Sequence, residues 1–290
     1  MENTILVITG PTASGKTKAT IALAKKTNAE IICADSRIIY KGFDIVSAKP
    51  SKIEQQGVVH HLIDIIEPTE NFSAGDFVKL AKEKIKDINS RGKKVIISGG
   101  TWFYIKSLLN EEELPECPIN QKIRDELNRF DNETLWNKLN SLDSTRANQI
   151  HPNNRDKIIR SIEMCLELNM PVSKYKRKEN NKYNSIWYMP EISRDELYQN
   201  INLRVDNMIE IGLEDEYKKM KEKFGSLEIM KNTIGYSEFI ELEEGKYKSF
   251  NEAVEKIKQH TRNFAKRQLT YFRSRNDIKT FKTTEEIDYV

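Results

Sequence analysis

The apolar run Ile5-Leu6-Val7-Ile8 leads straight into Gly10-Pro11-Thr12-Ala13-Ser14-Gly15-Lys16-Thr17, and a helical pattern through Ile21, Ala22 and Ala24 follows. This is G-x-x-x-x-G-K-[ST] in the setting that gives the motif its meaning: a strand, a glycine-rich turn, then a helix. Two glycines let the backbone turn tightly enough to aim several N–H groups inward, and the helix N-terminus adds a partial positive charge. Lys16 supplies a mobile cation for the terminal phosphates, and the Thr17 hydroxyl is placed to hold a Mg²⁺ that the phosphates share. The loop predicts a polyphosphate or pyrophosphate ligand and a parallel α/β sheet of the P-loop NTPase type flanked by helices. It does not distinguish which phosphate compound is bound, or for what reaction.

Further strands follow at the spacing such a sheet needs. Glu30 to Ala34 reads as a second strand that ends in Asp35-Ser36-Arg37, and in open α/β sheets ligands lie beyond the carboxyl ends of the strands. Asp35 is therefore either a catalytic carboxylate or a turn or N-cap aspartate. The Gly- and Pro-punctuated stretch from Tyr40 to Pro50 is expected to border the substrate. His60 to Ile66 reads as another strand, and Phe72 to Arg91 as a helix capped by Ser73. The pair His60-His61 has no third ligand near it, so packing and hydrogen bonding are expected in place of a metal.

Lys94 to Ser98 is a continuous apolar strand of the buried, parallel type, and it runs into Gly99-Gly100-Thr101. An NTP-hydrolysing motor would carry an Asp there to help hold Mg²⁺. Its absence suggests that the cradled anion is a leaving group.

From Leu114 the chain becomes strongly polar and helical, with helices expected over Ile119 to Phe130, Thr134 to Leu142 and Arg155 to Leu168, and a basic run from Lys174 to Lys178. Residues 114–184 read as an all-helical insertion, and 1–113 with 185–290 as the core. In the insertion Arg155 and Lys157 are expected to be exposed, and Arg160 is either turned towards the crevice or, like them, a solvated helix charge. Ser185 to Met189 returns to the sheet, and helices are expected from there to the end, one of them opening at Leu203-Arg204-Val205-Asp206. The longest, Asn251 to Phe272, would bury Val254, Ile257, Phe264, Ala265, Leu269 and Phe272 and stack Lys258, Arg262 and Lys266 on another face.

Charge is concentrated at this end. The whole chain carries a net charge of only +3, but between Lys256 and Lys282 nine Lys and Arg stand against one acid, Asp277. A basic helix face ending in Tyr271-Phe272-Arg273 and Arg275 fits a phosphate backbone. Cys33, Cys117 and Cys165 have neither zinc-site nor disulfide spacing. With 38% hydrophobic and 31% charged residues, no apolar run is long enough to span a bilayer, and the chain enters its first strand too early for a signal peptide. A cytoplasmic monomer with no membrane partner is the expectation.

In sum the chain resembles the bacterial tRNA dimethylallyltransferases. The resemblance rests on the phosphate loop, Ala34-Asp35-Ser36 with Tyr40 to Ile45 and Ala48-Lys49-Pro50, His60 to Asp64, and Gly99-Gly100-Thr101. It continues through His151-Pro152-Asn153 with Ile159-Arg160, Arg204-Val205-Asp206, Ile234-Gly235-Tyr236 and Lys266-Arg267-Gln268. What it implies is transfer of a dimethylallyl group from dimethylallyl diphosphate to N6 of adenosine 37, beside the anticodon, with Mg²⁺ as cofactor and the tRNA anticodon stem-loop as partner. Asp35 would be the base, Thr101 would touch the target nucleotide, and Arg204 with residues 10–17 would hold the diphosphate. Asp35, Ser36, Arg37 and Ile38 would lie against the tRNA. So would Arg124, the segment Asp156, Lys157, Ile158, Ile159 and Arg160, the turn at Gly235 and Tyr236, and Lys258, Arg262 and Lys266. This chain departs from the family pattern at Trp102, where a Gly is usual, at Arg37, commonly Gln, and at Ser237, commonly Lys or Arg. Other readings share parts of the pattern: an adenylate isopentenyltransferase, a nucleotide or small-molecule kinase, or an RNA-binding protein without activity.

Overall fold

The computed structural model describes residues 4–109, 117–175 and 183–288. Six strands, β1 (Ile5–Thr9), β2 (Ala29–Cys33), β3 (His60–His61), β4 (Lys94–Gly99), β5 (Ser185–Pro190) and β6 (Ile278–Phe281), form one sheet in the order β3-β2-β4-β1-β5-β6. Every pairing is parallel, with Leu6 opposite both Ile96 and Ile186. The central strands read as unbroken apolar runs because both faces are covered. Leu6, Ile8, Ile31 and Ile96 enter one core, and Ile5, Val7, Ile32 and Ile97 enter the other, by the two-residue alternation of a strand. Because all strands run the same way, the loops after β1, β2 and β4 emerge at one edge of the sheet. That edge is where the chemistry-bearing residues gather.

Three local expectations need correction. The strand expected over His60 to Ile66 pairs only at His60 and His61, since Leu62 and Asp64 adopt left-handed φ values of 64° and 53° that no strand continues through. Arg204 does not open a helix: the helix Arg194–Glu210 begins ten residues earlier, where Ser193 accepts a hydrogen bond from Glu196 N. The chain does not stay helical to its end, because Ile278–Phe281 pairs with β5 as an edge strand. Only Phe281 of that strand is buried, and Lys279 continues the surrounding basic run, so it has no clean alternation to read.

The chain divides into two compact units, Met1–Glu111 with Asn181–Val290, and Glu112–Asn180. The second holds the helices Gln121–Leu127, Asn132–Leu142, Ser144–Ala147 and Arg155–Glu167 around its own core of Leu135, Leu139, Ile158 and Ile162. The boundary expected at 113 and 114, and Lys176, Arg177 and Lys178 of the basic run, lie outside the described residues. Among the described residues no helix is long and apolar enough to cross a membrane.

Candidate active site

The loop after β1 is curled by backbone conformations that side chains resist. Gly10, Ala13 and Gly15 have φ of 144°, 61° and 84°, and a Cβ on Gly10 would meet Ser14 Oγ at 3.1 Å and Met189 Cγ at 3.3 Å. The helix Lys16–Thr27 then starts at Gly15 with no side-chain cap and no acid in its first turn, so its amides and dipole are left to an external anion. Ser14 Oγ is buried without a hydrogen-bond partner, which is what a cradle awaiting acceptor oxygens presents. Lys16 Nζ donates to Pro11 O at 3.0 Å across the same loop.

The loops after β2 and β4 are locked together. Thr101 N donates to Ala34 O at 3.1 Å, and Thr101 Oγ1 accepts from Ser36 N at 3.1 Å, leaving its own proton to donate elsewhere. A Cβ on Gly99 would stand 2.1 Å from Ala34 O, so glycine is the residue that lets the two loops approach. Asp35 Oδ1 accepts from Arg37 N at 2.8 Å, which makes Asp35 a turn aspartate by geometry. The same residue lines the cavity with Lys16, Thr101 and Arg204, so the two readings of Asp35 are compatible. Arg37 in turn donates to Asn232 O at 2.7 Å, tying this turn to the one that holds Gly235.

The cavity has a volume of about 330 Å³, the size of a small-ligand site. Its lining includes the polar Lys16, Thr17, Asp35 and Arg204 and the apolar Ile31, Cys33, Val205, Met208 and Leu213. Burial and the neighbouring Arg204 lower the Lys16 pKa to about 8, against the opposing pull of Asp35. Burial likewise lowers the Arg204 pKa, again opposed by Asp35. Four cations, Lys16, Arg37, Arg204 and Arg267, against the one carboxylate of Asp35 favour a polyanion, and the apolar side chains suit a hydrocarbon group attached to it.

Thr17 is exposed and lines the cavity, and among the described residues no three His, Cys, Asp or Glu side chains form a metal cluster. A hydroxyl with phosphate oxygens is a donor set that suits Mg²⁺, which keeps few protein ligands at phosphate sites. The histidine pair is spoken for: His60 Nδ1 meets Val58 O at 2.9 Å, and His61 Nε2 meets Glu30 at 2.7 Å. Glu30 also binds Arg91 and Lys93, which hold its carboxyl well below the usual range.

Several expected RNA contacts sit differently. Tyr236 is fully buried with its hydroxyl donating to Glu216 at 2.8 Å, so it offers nothing to solvent. Ile38 is buried and lines the cavity. Lys258 pairs with Asp206 at 2.7 Å and Glu255 at 2.9 Å, and Arg262 donates to Asn202 at 2.5 Å. Of that trio Lys266 is the exposed member that makes no ion pair among the described residues. Phe264, placed on the buried face by its periodicity, is 37% exposed and lines the cavity with Arg267.

In the helical unit, Asp156 and Lys157 are exposed, but Ile158 and Ile159 belong to its core. Arg124 and Arg160 both bind the buried Glu163, at 2.9 and 2.6 Å, and Arg160 also donates to Cys117 O. Arg155 is half-buried, donating to Asn132 Oδ1 and Asn128 O. A helix that must build a small core spends its side chains inward.

Trp102, in place of a usual glycine, does not line the cavity. It packs against Trp187 and Phe272 with ring centroids 5.8 and 5.9 Å apart, and the Arg275 guanidinium lies over both tryptophans. Gln268 enters the sequence pattern only as part of Lys266-Arg267-Gln268, with no role attached, and Glu216 does not enter it. Gln268 was visible as a lone polar residue in the buried stripe Ala265-Gln268-Phe272; Glu216 sits among acids and lysines that give no such signal.

Residues 38–275 match the IPP transferase family. The tRNA dimethylallyltransferase of Anoxybacillus flavithermus is 40% identical over 99% of this chain and 92% of its own. Among solved structures, the tRNA isopentenylpyrophosphate transferase of Bacillus halodurans matches with a TM-score of 0.72 and 36% identity, over 99% of this chain and 92% of that one. A eukaryotic dimethylallyltransferase acting on tRNA matches with a TM-score of 0.83 and 28% identity, over 97% of this chain and 74% of that one.

Proposed function

The chain belongs to the IPP transferase family as a tRNA dimethylallyltransferase, and from that premise we propose how its own residues carry the transfer. The donor is dimethylallyl diphosphate and the acceptor is N6 of adenosine 37 in the tRNA anticodon stem-loop. The diphosphate lies in the loop of residues 10–17, against the amides of the following helix, Lys16 and Arg204. The dimethylallyl group lies against the apolar lining residues Cys33, Val205 and Met208. Mg²⁺, held by Thr17 and the phosphate oxygens, would add charge neutralisation to the leaving group.

The nitrogen of an exocyclic adenine amine is a weak nucleophile because its lone pair is delocalised into the ring. As N6 bonds to the allylic carbon, the C–O bond breaks, its electron pair leaves with the diphosphate, and the N6 proton passes to Asp35. Oδ1 of Asp35 is occupied by Arg37 N, so Oδ2 is the oxygen that receives it. Once alkylation has begun the amine is acidic, and a carboxylate oxygen in reach suffices to take its proton. Lys16 and Arg204 stabilise charge that develops only as the bond breaks, which is where preorganised donors accelerate a reaction. Thr101, pinned to Ser36 through its oxygen, keeps a hydroxyl proton to direct at the adenine.

The base must leave its stack to reach the cavity, at a cost of a few kcal/mol that is smallest in a loop. Contacts that offset it are assigned to Arg37, the turn at Gly235, and Lys266 in the core unit, and to Asp156 and Lys157 in the helical unit. One observation supports this reading most: Lys16, Arg204 and Asp35 line a single cavity that is also lined by the apolar side chains of Ile31, Cys33, Val205, Met208 and Leu213. The test is label transfer from radiolabelled dimethylallyl diphosphate offered tRNA, AMP, or neither. Label in tRNA is expected. Label in AMP, or phosphate transfer from ATP with no prenylation, would overturn the proposal.

A further inference from the structure

Glu216 stands outside the chemistry just described, yet its carboxylate is the meeting point of three segments that line the cavity. Oε2 accepts from Asp44 N at 3.0 Å and Ile45 N at 2.6 Å; Oε1 accepts from Val46 N at 2.9 Å and from the buried Tyr236 hydroxyl at 2.8 Å. Four donors converge on one carboxylate that makes no ion pair among the described residues, an arrangement suited to holding backbone rather than a mobile ligand. The three segments it joins all line the cavity: Val46, Ser47 and Ala48 from one, Leu213 from its own helix Leu213–Phe224, and residues 232–235 from the third.

The joint is close-fitting and has no slack. A Cβ on Gly235 would meet Val46 Cγ2 at 3.0 Å and Leu213 Cδ2 at 3.5 Å, and one on Gly42 would meet Met220 Sδ at 2.9 Å. The Gly235 turn is held from its other side by Glu238, fully buried, which accepts from Gly235 N at 2.6 Å and contacts His260 at 2.5 Å. The stretch from Asp44 to Ala48 has no sheet or long helix to fix it, so its position depends on the hydrogen bonds that end its amides.

We propose that Glu216 is a positioning residue that sets which prenyl donor the cavity accepts, by fixing the wall of residues 44–48 against the Gly235 turn. The inference rests on the reading of this cavity as the prenyl donor site. With the wall fixed, a five-carbon allylic group fits and a ten-carbon one meets Val46 and Leu213. Releasing the amides of Asp44, Ile45 and Val46 lets that wall give way, and the longer chain gains more than the shorter.

The test pits dimethylallyl against geranyl diphosphate, both with an anticodon stem-loop, in the full-length protein and its Glu216→Gln variant. A glutamine presents one acceptor oxygen and turns an NH₂ towards backbone donors. For Glu216→Gln the KM for dimethylallyl diphosphate is expected to rise about tenfold with kcat little changed, the pattern of binding lost equally from ground state and transition state. The ratio of geranyl to dimethylallyl transfer is expected to rise with it. Tyr236→Phe, which removes one of the four donors, should shift that ratio in the same direction by less, and it serves if Glu216→Gln does not fold. An unchanged ratio in a folded variant, however far both rates fall, would overturn the proposal and leave Glu216 as scaffold. A wild-type protein that transfers neither group to RNA would instead overturn the proposed function.

Discussion

The side chain of Gln268 and the backbone of Gly100 are fitted to each other: Nε2 donates to Gly100 O at 2.9 Å, and a Cβ on Gly100 would lie only 2.2 Å from that nitrogen. The other end of the same amide accepts from Thr12 N at 2.9 Å. One buried side chain on the helix Phe250–Arg273 thus bridges the phosphate loop and the loop that carries Thr101. Under the proposed function, this bridge holds the diphosphate loop in register with the loop of Thr101.

Replacing that bridge by an isosteric apolar group should therefore damage both sites at once. For Gln268→Leu, Thr12 N and Gly100 O lose their partner, at about 1–3 kcal/mol for each group left unsatisfied. Thermal unfolding is expected to show the loss, and steady-state kinetics a fall in kcat/KM for the prenyl donor of about tenfold or more. A variant with lower stability but unaltered kinetics would reduce Gln268 to a packing residue.

The Lys16 pKa of about 8 gives opposite signs for catalysis and stability. The free enzyme's groups govern kcat/KM, so kcat/KM for dimethylallyl diphosphate should decline as pH rises above about 8 and the ammonium is lost. With diphosphate bound, Lys16 holds its proton more tightly, and kcat at saturating donor should stay level to higher pH. For folding, the unfolded chain binds the extra proton between about 8 and the ordinary value of 10.5, so this group's contribution to stability rises with pH across that window. Paired pH profiles of kcat/KM and kcat check the catalytic half.

RNA affinity should depend on Lys266 and not on Lys258, although both lie on one helix. Lys258 is already neutralised by Asp206 and Glu255, whereas Lys266 is exposed. Measured against salt concentration, anticodon stem-loop binding by Lys266→Ala should lose about one unit of salt slope, and Lys258→Ala should keep the wild-type slope. Neither change should alter the KM for the prenyl donor.

The sheet and the phosphate loop were legible because both follow from local pattern: apolar runs for strands buried on two faces, glycines where φ must be positive. Asp35 was legible as the residue after a strand end. The tertiary partners were not. Nothing in the spacing of Lys258 tells that Asp206 will meet it, and Tyr236 looks available until the Glu216 carboxylate is seen to claim its hydroxyl. Ile158 and Ile159 were read with their charged neighbours as one RNA-facing segment, but a unit as small as the helical one needs them for its core. Glu216 and Gln268 act through groups far away in sequence, the one holding residues 44–46 and the other Thr12 and Gly100, and that kind of contact has no periodic signature.

The central claim is that Asp35 takes the proton from the adenine amine, beyond its part in the turn. Asn at this position separates the two, because its carbonyl oxygen can still accept from Arg37 N while its amide cannot take a proton. The decisive measurement is the single-turnover rate of Asp35→Asn with donor and anticodon stem-loop both bound. The expected result is a fall of about 10²- to 10⁴-fold with donor affinity unchanged, and a rate within a few-fold of wild type would contradict the account.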